Sequence, residues 1–212
     1  MKIDVVISID PGEKKSGMAI IMLNRDSVIK SELVGFVLDN ELILNKITEY
    51  YVKYNCFVAI EDIVPYNLKV SKELLTTCKF MGALDYRLRN ELKLSVEYLT
   101  RGKIKKWIFE AFPGLCVAYV NKKIAYLDDY GAKNDKKRYR TKEGDIKKAS
   151  FHWVDDRLVI MTMKDLWNIP TPKPGKRNIY GFSSHAWSAL AVGSCFIGLN
   201  HGFHDKMISS SL

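Results

Sequence analysis

The stretch IDVVISIDPG, residues 3–12, is a β-branched run that stops abruptly. Branched side chains favour strands, and Pro11 and Gly12 end a strand at a turn. Two further strand-like runs follow at 17–23 and 27–37. Because the links between the three runs are short, we predict an antiparallel meander.

The remainder of the chain alternates helical and strand-like stretches. Apolar residues at helical spacing predict helices at 39–54, 70–92, 153–168 and 185–199. Strands are predicted at 56–63 and 94–98, and a basic helix or loop at 100–112. We therefore predict an α/β fold with a mixed five-stranded sheet, in which three antiparallel strands precede parallel β-α units and helices flank the sheet.

Composition limits the class of protein. With 212 residues and 47% hydrophobic content, the chain fits one domain with a buried core. No apolar run approaches the ~18 residues that cross a bilayer, and the N-terminus lacks the pattern of a signal peptide. We therefore expect an intracellular, soluble protein without membrane contact.

Charge and cysteines say less about function. The formal charge of +9 suits a polyanionic partner, although many basic proteins bind no nucleic acid. The four cysteines are scattered without zinc-ligand spacing, so we expect reduced, mostly buried thiols. Between Lys133 and Lys148 eight residues are basic and three acidic. The wider segment 121–150 is predicted to be a loop or a β-ribbon.

Two carboxylates lie in or at the ends of predicted strands. Alternation places Ser8 and Asp10 on one face of the first strand, and Glu61 interrupts the otherwise apolar run CFVAIEDI. A carboxylate there is costly to bury unless it is paired or binds a metal ion. If the two strands are parallel neighbours, Asp10 and Glu61 can share a divalent cation, as phosphodiester hydrolysis requires.

The final helix supplies further candidates. His185 follows two serines that suit a helix cap, so it lies in the first turn, where an imidazole can ligate a metal ion or accept a proton. Ser188 lies one turn later. Small residues that would let this helix approach the sheet are Ala186, Ala189, Ala191 and Gly193.

Several segments together resemble the RuvC-type Holliday junction resolvases. ISIDPGEKKSGMAII resembles their first hairpin, VAIEDI their Ala-Ile-Glu strand and HAWSALAV their terminal acidic helix. KFMGALDYRL and then LSVEYLTRGKIKKW resemble their long helix, fifth strand and basic DNA-contacting segment. The match spans roughly residues 3–108 and 153–195 in order.

The resemblance implies a ribonuclease H-like nuclease that cuts four-way DNA junctions by paired nicks as a homodimer. Asp10, Glu61 and His185 match the family's catalytic and metal-binding positions, with Mg²⁺ or Mn²⁺ as cofactor and two ions per site. The fourth acidic position falls on Ser188. Serine is a poor ligand, which puts the second ion in doubt unless water or a carboxylate such as Asp62 completes its site.

The resemblance also implies a single nuclease domain over 1–212, located in the cytoplasm of a bacterium or a phage-infected cell. A basic insertion at about 109–152 is longer than the family's usual link, and it suggests a phage-type member. The candidate DNA-binding residues are Lys14, Lys15, Tyr66, Arg101, Lys103, Lys105, Lys106, Lys136, Lys137, Arg138 and Arg140. The lysines and the basic run could equally be solvated surface.

Other interpretations stay open. Taken singly, Asp10 with Pro11 and Gly12 is a turn, Glu61 a strand-end residue and His185 a helix-start histidine; their joint order favours a shared metal site. A nuclease of the same fold could cut flaps, forks or RNA-DNA hybrids. Ser188 motivates a third alternative, a junction-binding protein without catalysis. The apolar helix 70–92 is the candidate dimer interface.

Overall fold

A mixed sheet forms the centre of the protein. The computed structural model describes residues 3–23, 33–63, 70–130, 153–170 and 181–201. Its strands are β1 (Val5–Asp10), β2 (Lys15–Met22), β3 (Leu33–Asp39), β4 (Cys56–Asp62) and β5 (Ser95–Thr100).

The five strands lie in the order β3-β2-β1-β4-β5. β2 pairs antiparallel with both β1 and β3, whereas β4 pairs parallel with both β1 and β5. The predicted meander and the predicted parallel neighbourhood of the first and fourth strands are therefore confirmed.

Helices cover both faces of this sheet. They are α1 (Asn40–Tyr51), α2 (Lys72–Tyr86), α3 (Arg101–Ala111), α4 (Pro113–Tyr130), α5 (Asp156–Leu166) and α6 (Ser184–His201). The segment predicted as helix or loop at 100–112 is thus helical. Helix α5 begins where it does because the Asp155 carboxylate accepts a hydrogen bond from the Leu158 N–H at 3.0 Å, which caps the helix. Within the described ranges, no helix is long and apolar enough to cross a membrane.

Alternation along β1 divides the core into two layers. Val5, Ile7 and Ile9 are fully buried against α1 and α2, where they join Ile43 and Leu84. On the opposite face, Val6 packs in a second cluster built largely from α3, α5 and α6. Since Asp10 shares the side of Val6, the alternation carries its carboxylate towards α6.

Helix α6 lies unusually close to the sheet. A Cβ atom added to Gly17 on β2 would lie 2.2 Å from the backbone oxygen of His185. One added to Gly193 would lie 2.6 Å from the Ser8 Oγ. Ala186 and Ala189 are fully buried. The prediction that small residues bring this helix near the sheet is confirmed, and the close approach fixes where His185 stands.

One boundary prediction was wrong. The segment 121–150 was predicted to be a loop or ribbon, but α4 continues to Tyr130. Its last described side chains explain why, since Val120 and Ile124 pack against Trp153 as a small buried cluster. Residues 131–152, with most of the basic run, lie outside the described residues. The limits of the insertion and the single-domain assignment stay predictions.

The apolar side of α2 is split between core and surface. Met81 and Leu84 are buried, but Leu75 is 51% exposed and Tyr86 63% exposed. Cys78 is exposed as well, whereas the other three cysteines are buried. All four thiols lie in the described part of the chain and are free, and three of the four are buried, which confirms the predicted burial.

Candidate active site

Asp10 and Glu61 meet at one edge of the sheet. In the parallel pair of β1 and β4, Ile9 lies beside Ile60, so the next residue of each strand reaches the same end. Glu61 is 8% exposed, and the Asp10 side chain is 13% exposed. Two largely buried carboxylates therefore stand next to each other, as the sequence predicted.

Burial dominates the ionisation of both groups. It raises the pKa of Glu61 to about 7, with the Arg101 guanidinium acting in the opposite direction and the Asp10 charge raising it further. Burial likewise raises the pKa of Asp10, although the hydrogen bond with His185 and the charge of Arg101 lower it. The neighbouring positive charge does not offset the burial of these two carboxylates, and such a site favours a bound cation.

His185 is in direct contact with Asp10. Its Nδ1 lies 2.8 Å from the Asp10 Oδ2, because α6 begins at Ser184 beside the end of β1. When Nδ1 carries the hydrogen and donates it to the carboxylate, Nε2 keeps a lone pair. The histidine can then accept a proton or bind a cation through Nε2 while it orients Asp10.

Arg101 crosses the site and contacts three side chains. Its Nη1 donates to Glu61 Oε1 at 3.2 Å and Oε2 at 3.1 Å, and lies 3.5 Å from the Ser188 Oγ. Its Nη2 donates to the Asp156 carboxylate. The residue was predicted to track a DNA backbone, which stays a prediction, and the structure places it among the acidic groups of the site.

Asp156 is a site residue that the sequence analysis missed. It starts α5, 55 positions after Arg101. The available signal was the pair Asp155-Asp156 before an apolar run, in which one acid caps the helix and the other is left for a different role. Nothing in the local pattern identifies which partner that second acid meets.

Asn40 holds the turn that follows Asp10. Its Nδ2 donates to the backbone oxygens of Gly12 at 3.0 Å and Glu13 at 3.2 Å. The Ser16 hydroxyl donates to its Oδ1 at 2.7 Å and accepts from the Gly12 N–H at 3.2 Å. This network fixes the turn at the end of β1, and sequence reasoning had not singled out Asn40.

A cavity of about 340 Å³ opens over these groups. It is lined by Asp10, Arg101, Asp156, Val159, Ile160, His185, Trp187 and Ser188. Carboxylates and basic groups converge on one side, with apolar side chains of α5 on the other. Its lining combines charged groups with an apolar wall, a composition typical of ligand sites.

Four further predicted residues are exposed on segments that follow Asp10 or begin at Arg101. Lys14 and Lys15 are exposed on the turn after Asp10, and Lys15 pairs with Asp39 at 3.7 Å. On α3, Lys103 lies 3.4 Å from Glu97 and Lys106 lies 3.7 Å from Glu110. These are exposed pairs that contribute little and leave the lysines available to a polyanion.

Two of the other predicted residues do not line the cavity, and five lie outside the residues that the structure describes. Lys105 is half-buried on α3. Asp62 belongs by alternation to the other face of β4. There burial raises the pKa of Tyr98 most, followed by the hydrogen bond and charge of Asp85 and then by the charge of Asp62. This position does not favour an accessory ligand role for Asp62. Outside the described residues lie Tyr66, Lys136, Lys137, Arg138 and Arg140.

The donor chemistry of the site fits a hard divalent cation. Among the described residues, no three His, Cys, Asp or Glu side chains are arranged to hold a metal ion. The carboxylates of Asp10 and Glu61 are nevertheless the oxygen ligands that Mg²⁺ and Mn²⁺ prefer. They are buried together with insufficient positive charge, and they are the residues that would hold such an ion.

The sequence matches no protein-family model and no curated protein. Among solved structures, Thermus thermophilus RuvC in complex with a Holliday junction substrate is similar with a TM-score of 0.54 and 15% identity, over 97% of this chain and 96% of that chain. A second Thermus thermophilus RuvC structure has a TM-score of 0.51 and 14% identity, over 93% and 96%. This similarity confirms the predicted RuvC-like, ribonuclease H-like fold, and at such identity it shows the fold alone.

Proposed function

We propose that this protein is a divalent-metal-dependent endonuclease that resolves four-way DNA junctions by paired nicks. The observation that carries the proposal is the buried pair Asp10 and Glu61 at the carboxyl edge of parallel strands. In this protein the open cavity lies at that edge of the RuvC-like fold, where Asp10 lines it. One similar structure was solved with a Holliday junction substrate, and we extend that substrate to this chain by proposal.

The proposed chemistry is hydrolysis of a phosphodiester. Mg²⁺ or Mn²⁺, when bound, activates water and stabilises charge on the leaving oxygen. Asp10 and Glu61 are the residues that would hold the cation, through their carboxylates. As the water oxygen bonds to phosphorus, the bond from phosphorus to the leaving oxygen breaks. His185 accepts the proton that the water loses, at the Nε2 that the contact with Asp10 leaves free.

Exposed lysines after Asp10 and on α3 would position the DNA backbone. Lys14 and Lys15 are exposed on the turn beside Asp10, and Lys103 and Lys106 are exposed on α3. Lysines at such positions bind phosphates without reading bases. The formal charge of +9 supports the same assignment, and binding should weaken steeply with salt.

The exposed part of α2 is the proposed dimer interface. Leu75 and Tyr86 are large exposed hydrophobic residues, Cys78 is exposed between them, and Val70 lies just before the helix with 62% exposure. A self-complementary apolar helix face suits a two-fold dimer. Two sites related by that axis would cut opposing strands of one junction.

Thiol reactivity tests this interface. At low protein concentration we expect one fast-reacting thiol, Cys78, because the other three are buried with pKa values raised by burial to about 11 for Cys56 and Cys116 and about 12 for Cys195. At higher concentration dimerisation should slow its reaction at least about 10-fold, as expected for a thiol enclosed at an interface. The measurement is labelling kinetics beside light scattering, with Leu75→Glu as the variant that stays monomeric. Concentration-independent labelling of a dimer would place the interface elsewhere.

Cleavage of a labelled four-way junction tests the function. We expect paired symmetric nicks in Mg²⁺ or Mn²⁺, none in EDTA, and at least a ~100-fold loss in Asp10→Asn, since altering even outer partners of a metal site costs 10–100-fold. Asp165→Asn, an exposed acid on α5, is the matched control and should cleave like wild type. Linear duplex, flap and RNA-DNA hybrid substrates run in parallel.

The substrates distinguish the alternatives. Equal cutting of flaps or hybrids would keep the metal-dependent nuclease and overturn the junction preference. Tight junction binding without cleavage in either metal would make the protein a non-catalytic binder. Loss of activity in both Asp10→Asn and Asp165→Asn would contradict the special role given to Asp10.

A further inference from the structure

Arg101 stands between the carboxylate of β4 and helix α6. It directly follows β5, whose residue Leu99 pairs with Glu61 across the parallel register. Thr100 caps α3 by accepting a hydrogen bond from the Lys103 N–H at 3.2 Å, so the first helical residue projects from the same sheet edge as Glu61. The local fold therefore aims a guanidinium at the acidic pair.

The contacts of Arg101 fill the space that a second cation would need. One nitrogen, Nη1, donates to both Glu61 carboxylate oxygens and lies 3.5 Å from the Ser188 hydroxyl oxygen. The other, Nη2, is held by Asp156. A second divalent ion normally lies ~3.5–4 Å from the first and needs its own oxygen ligands. Here Ser188 offers only a neutral hydroxyl, and Asp156 is already paired.

We propose that this site binds one divalent ion, through Asp10 and Glu61, and that Arg101, positioned by Asp156, supplies the second positive charge to the scissile phosphate. This inference rests on the proposed function and replaces the two ions that the family resemblance implies. It makes Arg101 a catalytic residue and Asp156 a positioning residue.

The geometry of the guanidinium suits this role. An arginine has five N–H donors in a planar fork. The contacts with Glu61, Ser188 and Asp156 leave donors for phosphate oxygens in the cavity that Arg101 lines. A fixed cation there stabilises the negative charge that grows on the phosphate oxygens during attack. Asp156 begins α5 and lines the cavity, and its contact with Nη2 orients the guanidinium plane of Arg101.

Counting bound Mn²⁺ ions tests the proposal without any cleavage. The whole protein would be titrated with Mn²⁺ and free ions measured by electron paramagnetic resonance, for wild type, Asp10→Asn, Arg101→Ala and the double variant Arg101→Ala with Ser188→Asp. We expect one ion per wild-type chain, none in Asp10→Asn and two in the double variant. Thermal melts check that each variant is folded, and the wild-type count needs no variant at all.

The possible counts separate this inference from the proposed function. Two ions per wild-type chain would overturn the role of Arg101 and leave a metal-dependent nuclease standing. No ion in wild type would overturn both. One ion in wild type together with two in the double variant would support the substitution of a cation by the arginine.

Rescue by free guanidinium gives a second readout. Arg101→Ala should cleave at least about 100-fold more slowly, as when one charge-stabilising donor is removed, and millimolar guanidinium should restore part of the rate without changing the Mn²⁺ count. The cleavage rate of Asp156→Asn should fall less than that of Arg101→Ala, and the rate should recover in Asp156→Glu. Cleavage by Arg101→Ala as fast as wild type would show that the arginine only blocks the site, and would overturn the proposal.

Discussion

Glu61→Gln is expected to abolish DNA cleavage and, in the same protein, to raise the stability of the metal-free state above pH 7. The amide keeps the size of the side chain but cannot provide a charged ligand. Activity should fall at least about 100-fold, because even altering a partner outside the ligands of a metal site costs 10–100-fold. Junction cleavage measures the first effect, and thermal melts in EDTA measure the second.

The stability effect follows from the burial of Glu61. Burial raises its pKa from 4.5 to about 7, so between these values the folded protein holds a proton that the unfolded chain releases. The free energy of unfolding therefore falls as pH rises through this window, by about 3 kcal/mol at most on the scale of 1.36 kcal/mol per pKa unit. Glutamine cannot ionise, so the variant should lack this fall.

Added Mg²⁺ should reverse the order of stability. A cation that binds only the folded state stabilises wild type by mass action, and Glu61→Gln has lost one of the two carboxylates that would hold it. Glu49→Gln, an exposed acid on α1 paired with Lys46, serves as the control and should follow wild type in every measurement. An equal response of Glu61→Gln and wild type to Mg²⁺ would contradict the cation site.

Gly17→Ala is expected to destabilise the fold by about 3 kcal/mol, the upper part of the range for overpacked sites. The new Cβ would lie 2.2 Å from the His185 backbone oxygen and 2.8 Å from the Ala186 nitrogen. Both are backbone atoms that no side-chain rotation can move, so the first turn of α6 must shift. For a chain of this size, Tm should fall by about 6–12 °C, as measured by calorimetry.

Gly82→Ala is the matched control for this substitution. Gly82 lies inside α2, and a Cβ added there meets nothing within 4 Å. Alanine in a helix interior is favoured over glycine by about 1 kcal/mol, so the same chemical change should raise Tm. If both variants melt within about a degree of wild type, well below the shift expected per kcal/mol, the close contact of α6 with β2 is wrong.

The two predictions also connect fold and site. The shift that Gly17→Ala forces on α6 displaces His185, which contacts Asp10 at 2.8 Å. Whatever folded Gly17→Ala protein remains should therefore cleave more slowly than wild type at a temperature where both are folded. Gly82→Ala should keep full activity.

Much of the architecture could be predicted from the sequence. The β-branched run of β1, its stop at Pro11 and the alternation towards Asp10 follow from local propensity and the two-residue period of a strand. The apolar character of CFVAIEDI correctly indicated a parallel neighbour with Glu61 at the shared edge. Small residues in α6 indicated its close packing.

Other features could not be read from local patterns. Helix α4 runs to Tyr130 because Val120 and Ile124 pack against Trp153, which lies more than 20 residues further along the chain. The wide apolar side of α2 gave no sign that Leu75 and Cys78 would face outward. In each case tertiary packing decided what propensity left open.

The sequence by itself determined that Asp10 and Glu61 meet, and the tertiary structure decided which groups surround and neutralise them. Asp10 and Glu61 share an edge because strand period and parallel pairing are regular, and regular geometry can be extrapolated along a chain. The contacts of Arg101 with Glu61, Asp156 and Ser188 join residues 40, 55 and 87 positions apart. They depend on how α3, α5 and α6 pack around one cavity, because a charged side chain takes its partner from the space it reaches and not from its neighbours in sequence.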